Sequence, residues 1–95
     1  MPILQIEHGV RDYDAWRRAF DNDPIDRKRG GVLRYRILRP KDDPAFVAVE
    51  LEFDDLRKAQ AFRDALVELW SHAGGGLGLV DARARIVDEV ETVEV

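Results

Sequence analysis

Cysteine is absent from this 95-residue chain. That excludes a disulfide framework, a thiolate nucleophile and a cysteine-bearing metal site. A basic excess is also missing: 15 Lys and Arg stand against 19 Asp and Glu, a formal net charge of -4. Nucleic-acid binders present a basic face, and anionic membranes attract clustered cations. No nucleic acid and no membrane is therefore expected as a partner. No run approaches the ~20 apolar residues of a membrane helix. The opening Met1-Pro2-Ile3-Leu4-Gln5-Ile6-Glu7 has neither the basic start nor the apolar core of a secretory leader, so a cytoplasmic location is expected. Repeats and low-complexity stretches are lacking, and two histidines far apart do not make a zinc site. Neither a metal nor a cofactor is expected.

What is present is ordinary for a folded protein: 45% hydrophobic and 36% charged residues. The length fits one domain over residues 1–95. So short a chain buries a modest share of its surface. Without disulfides, pairing with a second copy is the simplest supplement to its core.

Ile3 to Val10 reads as a strand, with Leu4, Ile6 and Val10 alternating with Gln5 and Glu7. Asp12 suits a helix N-cap, and Tyr13, Trp16 and Phe20 behind it share one helical face. Residues Ile25 to Arg29 read as a further helical turn ahead of Gly30-Gly31, a break. Val32 to Arg39 and Ala45 to Phe53 read as a hairpin across the polar loop Pro40-Lys41-Asp42-Asp43-Pro44. Asp54 is the next expected N-cap. It precedes a helix whose stripe is Leu56, Ala59, Phe62, Leu66, Leu69 and Ala73, with Ala65 and Trp70 beside it. The glycines at 74 to 76 stop that helix. Ala82 to Val95 reads as a long strand whose face changes near Asp88-Glu89, the mark of a bulge or bend.

The order βαββαβ predicts a ferredoxin-like α+β fold: an antiparallel sheet, its first and third strands central, with two helices on one face. Leu4, Ile6, Val47, Val49, Leu51 and Phe53 suit the covered side. The other face is expected to hold Ile3, Gln5, Glu7, Val32, Arg34, Arg36, Leu38, Phe46, Ala48, Glu50 and Glu52. Ile3, Val32, Leu38 and Phe46 make it too greasy for a solvated surface. Burying those four side chains contributes roughly 6–12 kcal/mol before the costs of association. A homodimer is therefore expected, with Glu91 to Val95 reaching the partner.

Several stretches carry a family likeness. They are His8-Gly9-Val10-Arg11-Asp12-Tyr13-Asp14-Ala15-Trp16-Arg17-Arg18-Ala19-Phe20-Asp21, Gly30-Gly31-Val32, Asp42-Asp43-Pro44, and Leu51-Glu52-Phe53-Asp54-Asp55 with Ala59 and Phe62 beyond. In these the chain resembles the dimeric α+β barrel superfamily, which includes the antibiotic biosynthesis monooxygenase-like proteins. The resemblance implies two sheets packed face to face. It also implies a small organic ligand, taken between sheet and helices or inside the barrel. Functions vary widely on this fold.

The candidate chemistry has two sides. Glu7, Arg34, Arg36 and Glu50 suit a polar pocket in which Glu7 acts as a base and the others hold substrate. Their plainer reading is mutual ion pairing, since a carboxylate beside an arginine stays ionised. His8, near Asp12 and Asp14, suits a general base; its plainer reading is a strand-end residue bonded to backbone. Tyr35 is a third catalytic candidate, because a buried hydroxyl needs a partner. Trp16 and Trp70 suit the wall of an aromatic ligand site, although core packing explains most aromatics at helical spacing. His72 in the last turn of its helix is explained by the helix C-terminus. Gly74-Gly75-Gly76-Leu77-Gly78 follows a helix and so is a cap and loop rather than a phosphate cradle. Arg17-Arg18 and Arg27-Lys28-Arg29 read as solvated surface. The sequence thus points to a small-molecule-binding homodimer. Two alternatives remain: a cofactor-free monooxygenase or cyclase acting on an aromatic or polyketide-like compound, and a structural or regulatory module.

Overall fold

The protein is described by a computed structural model over residues 1–73 and 79–95. In chain order the elements are β1 (Pro2–Val10), α1 (Tyr13–Asp21), β2 (Arg34–Leu38), β3 (Phe46–Glu52), α2 (Leu56–Ala73) and β4 (Leu79–Asp88). The strands form one antiparallel sheet in the order β2-β3-β1-β4. The first and third strands are central, as the sequence pattern predicts. Among the described residues no helix is long and apolar enough to cross a membrane.

Strand parity builds the core. Leu4, Ile6 and Val10 of β1 face the helices with Val47, Val49 and Leu51 of β3. Phe53 follows β3 fully buried, and its ring lies 5.7 Å from that of Phe62 on α2. Asp12 caps α1, accepting from Ala15 N–H at 3.2 Å.

Five expectations are corrected. The cap of α2 is Asp55, not Asp54: its carboxylate accepts from Arg57 N–H at 2.7 Å, while Asp54 pairs with Lys58. Leu56 is consequently out on the first turn and half exposed, and Ala65 also faces out. Residues 25–29 form turns rather than helix. Asp23 and Asp26 take positive φ there and accept from Arg27 and Arg29 N–H, which diverts the backbone from helical bonding. Val32 precedes β2 and packs against the core, not on the open face.

The fifth correction concerns β4. It begins at Leu79 and ends at Asp88, and its irregularity lies near the start. Glu7 pairs with Arg83 and Gly9 with Val80, so Asp81 and Ala82 together stand opposite His8. Asp81 has φ 52, the left-handed conformation such a bulge uses. Leu79 and Ala84 therefore both pack on the core although an odd number of residues apart. The cap-and-loop reading of Gly74 to Gly78 lies outside the described residues.

Candidate functional site: a cavity between sheet and helices

Between the inner sheet face and the two helices lies a cavity of about 280 Å³. Ile6, Val49 and Leu51 form its floor, Trp16, Ala19 and Phe20 one wall, and Phe62, Leu66, Leu69 and Trp70 the other. Pro24 and Ile25 close the end where the chain leaves α1. The wall is overwhelmingly apolar, and among the described residues the polar side chains on it are His8, Asn22, Asp23 and Arg27.

Asp23 and Arg27 belong to the segment after α1 and are tied down. Arg27 Nη1 donates to the Phe20 carbonyl at 2.7 Å and lies 3.5 Å from Asp23 Oδ1. Its guanidinium sits 4.1 Å over the Phe20 ring and 5.0 Å from that of Tyr35. The side chain is 17% exposed, so Arg27 is not the solvated cation its basic neighbourhood predicts. It straps the segment after α1 to the helix end and to β2.

His8 is different in kind. It is 3% exposed, on the inner face of β1, with its ring 5.5 Å from that of Trp16. Nδ1 lies 3.2 Å from the Gly9 carbonyl oxygen. A carbonyl only accepts, so Nδ1 carries the proton and Nε2 carries the lone pair. Nε2 has no protein partner among the described residues, yet it is not sealed off. Burial lowers the His8 pKa below 6.5, only partly offset by the bond to Gly9. The imidazole is therefore neutral at pH 7, with a free acceptor on an apolar wall. Asp12 and Asp14 are not its partners: Asp12 caps α1 and Asp14 lies in the helix's first turn.

The remaining candidates fall elsewhere. Trp16 and Trp70 line the cavity. Tyr35 is outside it, its ring edge against Phe20 at 5.1 Å, part of a shallow hollow with Lys28 and Arg34. Glu7, Arg34, Arg36 and Glu50 are on the opposite face of the sheet. Register puts Arg36, Glu50, Gln5 and Arg85 in one row across it. Arg36 bonds Glu50 at 2.5 Å, Gln5 reaches Glu50 at 3.4 Å and Arg85 reaches Gln5 at 3.0 Å. Arg34 pairs with Glu52 at 2.5 Å, a bond that raises the pKa of the guanidinium. Glu7 stands between Ala48 and Arg83 without an ion pair among the described residues. His72 lies 3.2 Å from Glu68 at the end of α2. No cluster of three or more His, Asp or Glu suited to a metal occurs among the described residues.

Sequence reasoning missed the closing segment 22–27 and the wall from Leu66, Leu69 and Leu79. The first had no periodic signal, because aspartates at positive φ shape it. Leu66 and Leu69 were visible in a helical stripe, but a stripe does not say whether it meets the sheet or stops short of it; Leu79 lay ahead of the strand expected from Ala82.

No family model matches the chain, and no curated protein matches it. Solved structures do. SnoaB, a cofactor-independent oxygenase from Streptomyces nogalater, superposes with TM-score 0.73 at 18% identity, over 97% of this chain and 95% of that one. An antibiotic biosynthesis monooxygenase gives 0.64 at 17% identity, over 96% and 100%. A dimeric ferredoxin-like protein from an uncultured marine organism gives 0.65 at 12% identity, over 97% of each chain. Identities this low speak for architecture alone. The chain has the ferredoxin-like βαββαβ fold, shared with structures described as antibiotic biosynthesis monooxygenases and as dimeric ferredoxin-like proteins.

Proposed function

We propose that this chain is a homodimer that binds a small organic molecule in the cavity between its sheet and its helices. The observation that carries this reading is the cavity itself: about 280 Å³, apolar, with one buried histidine on its wall. Native interiors pack to crystal density and leave few voids larger than a water molecule. A space this size, floored by the central strands, is what ligand sites look like. Pairing follows from the outer sheet face, where Ile3, Val87, Phe46 and Leu38 interrupt the ionic rows and Leu38 is exposed on a single chain. A structural neighbour described as dimeric supports it. A cytoplasmic location goes with this reading, and cell fractionation tests it.

Trp16 and Trp70 make the test simple. Titrating the protein with a bicyclic aromatic such as 2-naphthol is expected to change tryptophan emission saturably, one site per chain. Ala19→Phe, which fills the cavity from α1, is expected to abolish the change while far-UV circular dichroism stays the same. Saturable binding undiminished in Ala19→Phe contradicts the assignment.

One observation favours a second reading, cofactor-free oxygenation. Such chemistry needs a base in a dry pocket, and His8 has a neutral ring and a free acceptor. SnoaB is described as a cofactor-independent oxygenase. Dioxygen uptake with electron-rich phenols, lost in His8→Phe, supports that reading. No uptake with any of them refutes it and leaves the binding reading untouched.

A further inference from the structure

We infer that His8 sets the ligand chemistry of this cavity: its Nε2 accepts a hydrogen bond from one hydroxyl of an uncharged aromatic ligand about two rings in size. The inference rests on the reading of the cavity as a ligand site, and it adds what kind of molecule that site selects.

Size comes first. An apolar cavity of about 150 Å³ holds one benzene ring. At about 280 Å³ this one suits two fused rings. Trp16, Phe20, Phe62 and Trp70 on its walls supply edges and faces for such a ligand.

Charge comes second. Arg27, the cation on the described wall, is held by Asp23 and the Phe20 carbonyl, so no free cation waits for an anionic ligand. Asp23 is held in return by Arg27 and accepts from its backbone N–H as well, so no free carboxylate waits for a cation. Asn22 sits exposed at the end of α1. Among the described residues, His8 is the polar group of the wall that is buried.

The polarity of the contact comes third. Gly9 O fixes the proton on Nδ1, which leaves Nε2 able to accept and unable to donate. An acceptor facing an apolar space loses its water when that space fills with a ligand. A ligand hydroxyl restores the bond, whereas a methoxy oxygen cannot.

The experiment compares 2-naphthol with 2-methoxynaphthalene by tryptophan fluorescence at pH 7.5, on wild type and His8→Phe, and repeats the wild-type pair at falling pH. The wild type is expected to prefer naphthol about tenfold, the ratio one neutral hydrogen bond gives. In His8→Phe that ratio is expected to fall to one or reverse, because the ether's extra methyl then decides. In the wild type it is expected to collapse as pH falls below 6.5 through the depressed His8 value, where Nε2 gains a proton and becomes a donor that an ether oxygen satisfies equally. The pH series uses unmutated protein and so holds even if His8→Phe folds poorly. Equal binding of both probes to wild type overturns the role of His8 and leaves the cavity reading standing. A preference that survives in His8→Phe also overturns it, because another group then reads the hydroxyl. Binding of neither probe overturns the cavity reading and this inference together.

Discussion

A histidine buried beside Trp16 is costly to protonate, and that cost has a pH signature. Burial puts the folded-state pKa of His8 below 6.5, so the unfolded chain takes up this proton first as pH falls. The stability attached to the neutral ring is complete above about 6.5. It is lost as pH falls from there through the depressed folded value. Urea midpoints are expected to drop as pH falls from 6.5 in wild type and to drop less in His8→Phe; equal drops contradict the assignment. Position 8 was legible in the sequence by parity, since it is in phase with Leu4, Ile6 and Val10 and so belongs on the helix-covered face. Proximity to Asp12 and Asp14 was the weaker guide, because Asp12 is committed to capping. The same parity places Arg34, Arg36 and Glu50 opposite the cavity, where register pairs them with neighbouring strands. Pairing of Glu52 with Arg34 follows from that register too.

Elements form here because local signals agree with the fold. Asp12→Ala removes the cap of a helix of 9 residues and is expected to cost about 1 kcal/mol in chemical denaturation; no loss shows that α1 is held by its aromatic face alone. The two helices and four strands were legible from period and caps. Their irregularities were not. A bulge leaves both halves of β4 looking regular, and only knowing that Leu79 and Ala84 face the same way exposes it. The segment after α1 owes its shape to three interactions that no spacing announces: the bonds of Asp23 and Asp26, the Arg27 bond to Phe20, and Gly30 against Phe62. A Cβ at Gly30 would stand 2.7 Å from the Phe62 ring. Arg27→Ala is expected to cost about 2 kcal/mol, the sum of a charged bond to a carbonyl and a cation–π contact. It is also expected to speed ligand release in stopped-flow fluorescence by loosening the segment that lines the cavity after α1. Arg27→Lys is not expected to rescue either effect, because an ammonium lacks the planar fork. Full rescue by Lys shows that charge alone holds this segment.

At the scale of the molecule, the sheet has two unlike faces. One is a packed core that opens into a cavity; the other is rows of ion pairs broken by Ile3, Val87, Phe46 and Leu38. Beyond β4, Val90, Val93 and Val95 are exposed on a single chain, an apolar tail that gains from a second copy. Removing residues 91–95 is expected to weaken the dimer at least tenfold by sedimentation equilibrium, and an unchanged association constant contradicts the proposed crossing. The general fold was legible because alternation and amphipathic stripes fix which side each residue takes. The cavity was not, since patterning says which face meets the core and not how fully that core is filled. The most direct test is a crystal structure of the full chain grown with 2-naphthol. The account predicts ring density between Trp16 and Trp70 with the naphthol oxygen within hydrogen-bond distance of His8 Nε2, and a second copy over the outer sheet face. Helices closed down on the sheet with no space between them, or naphthol bound only elsewhere, would contradict it.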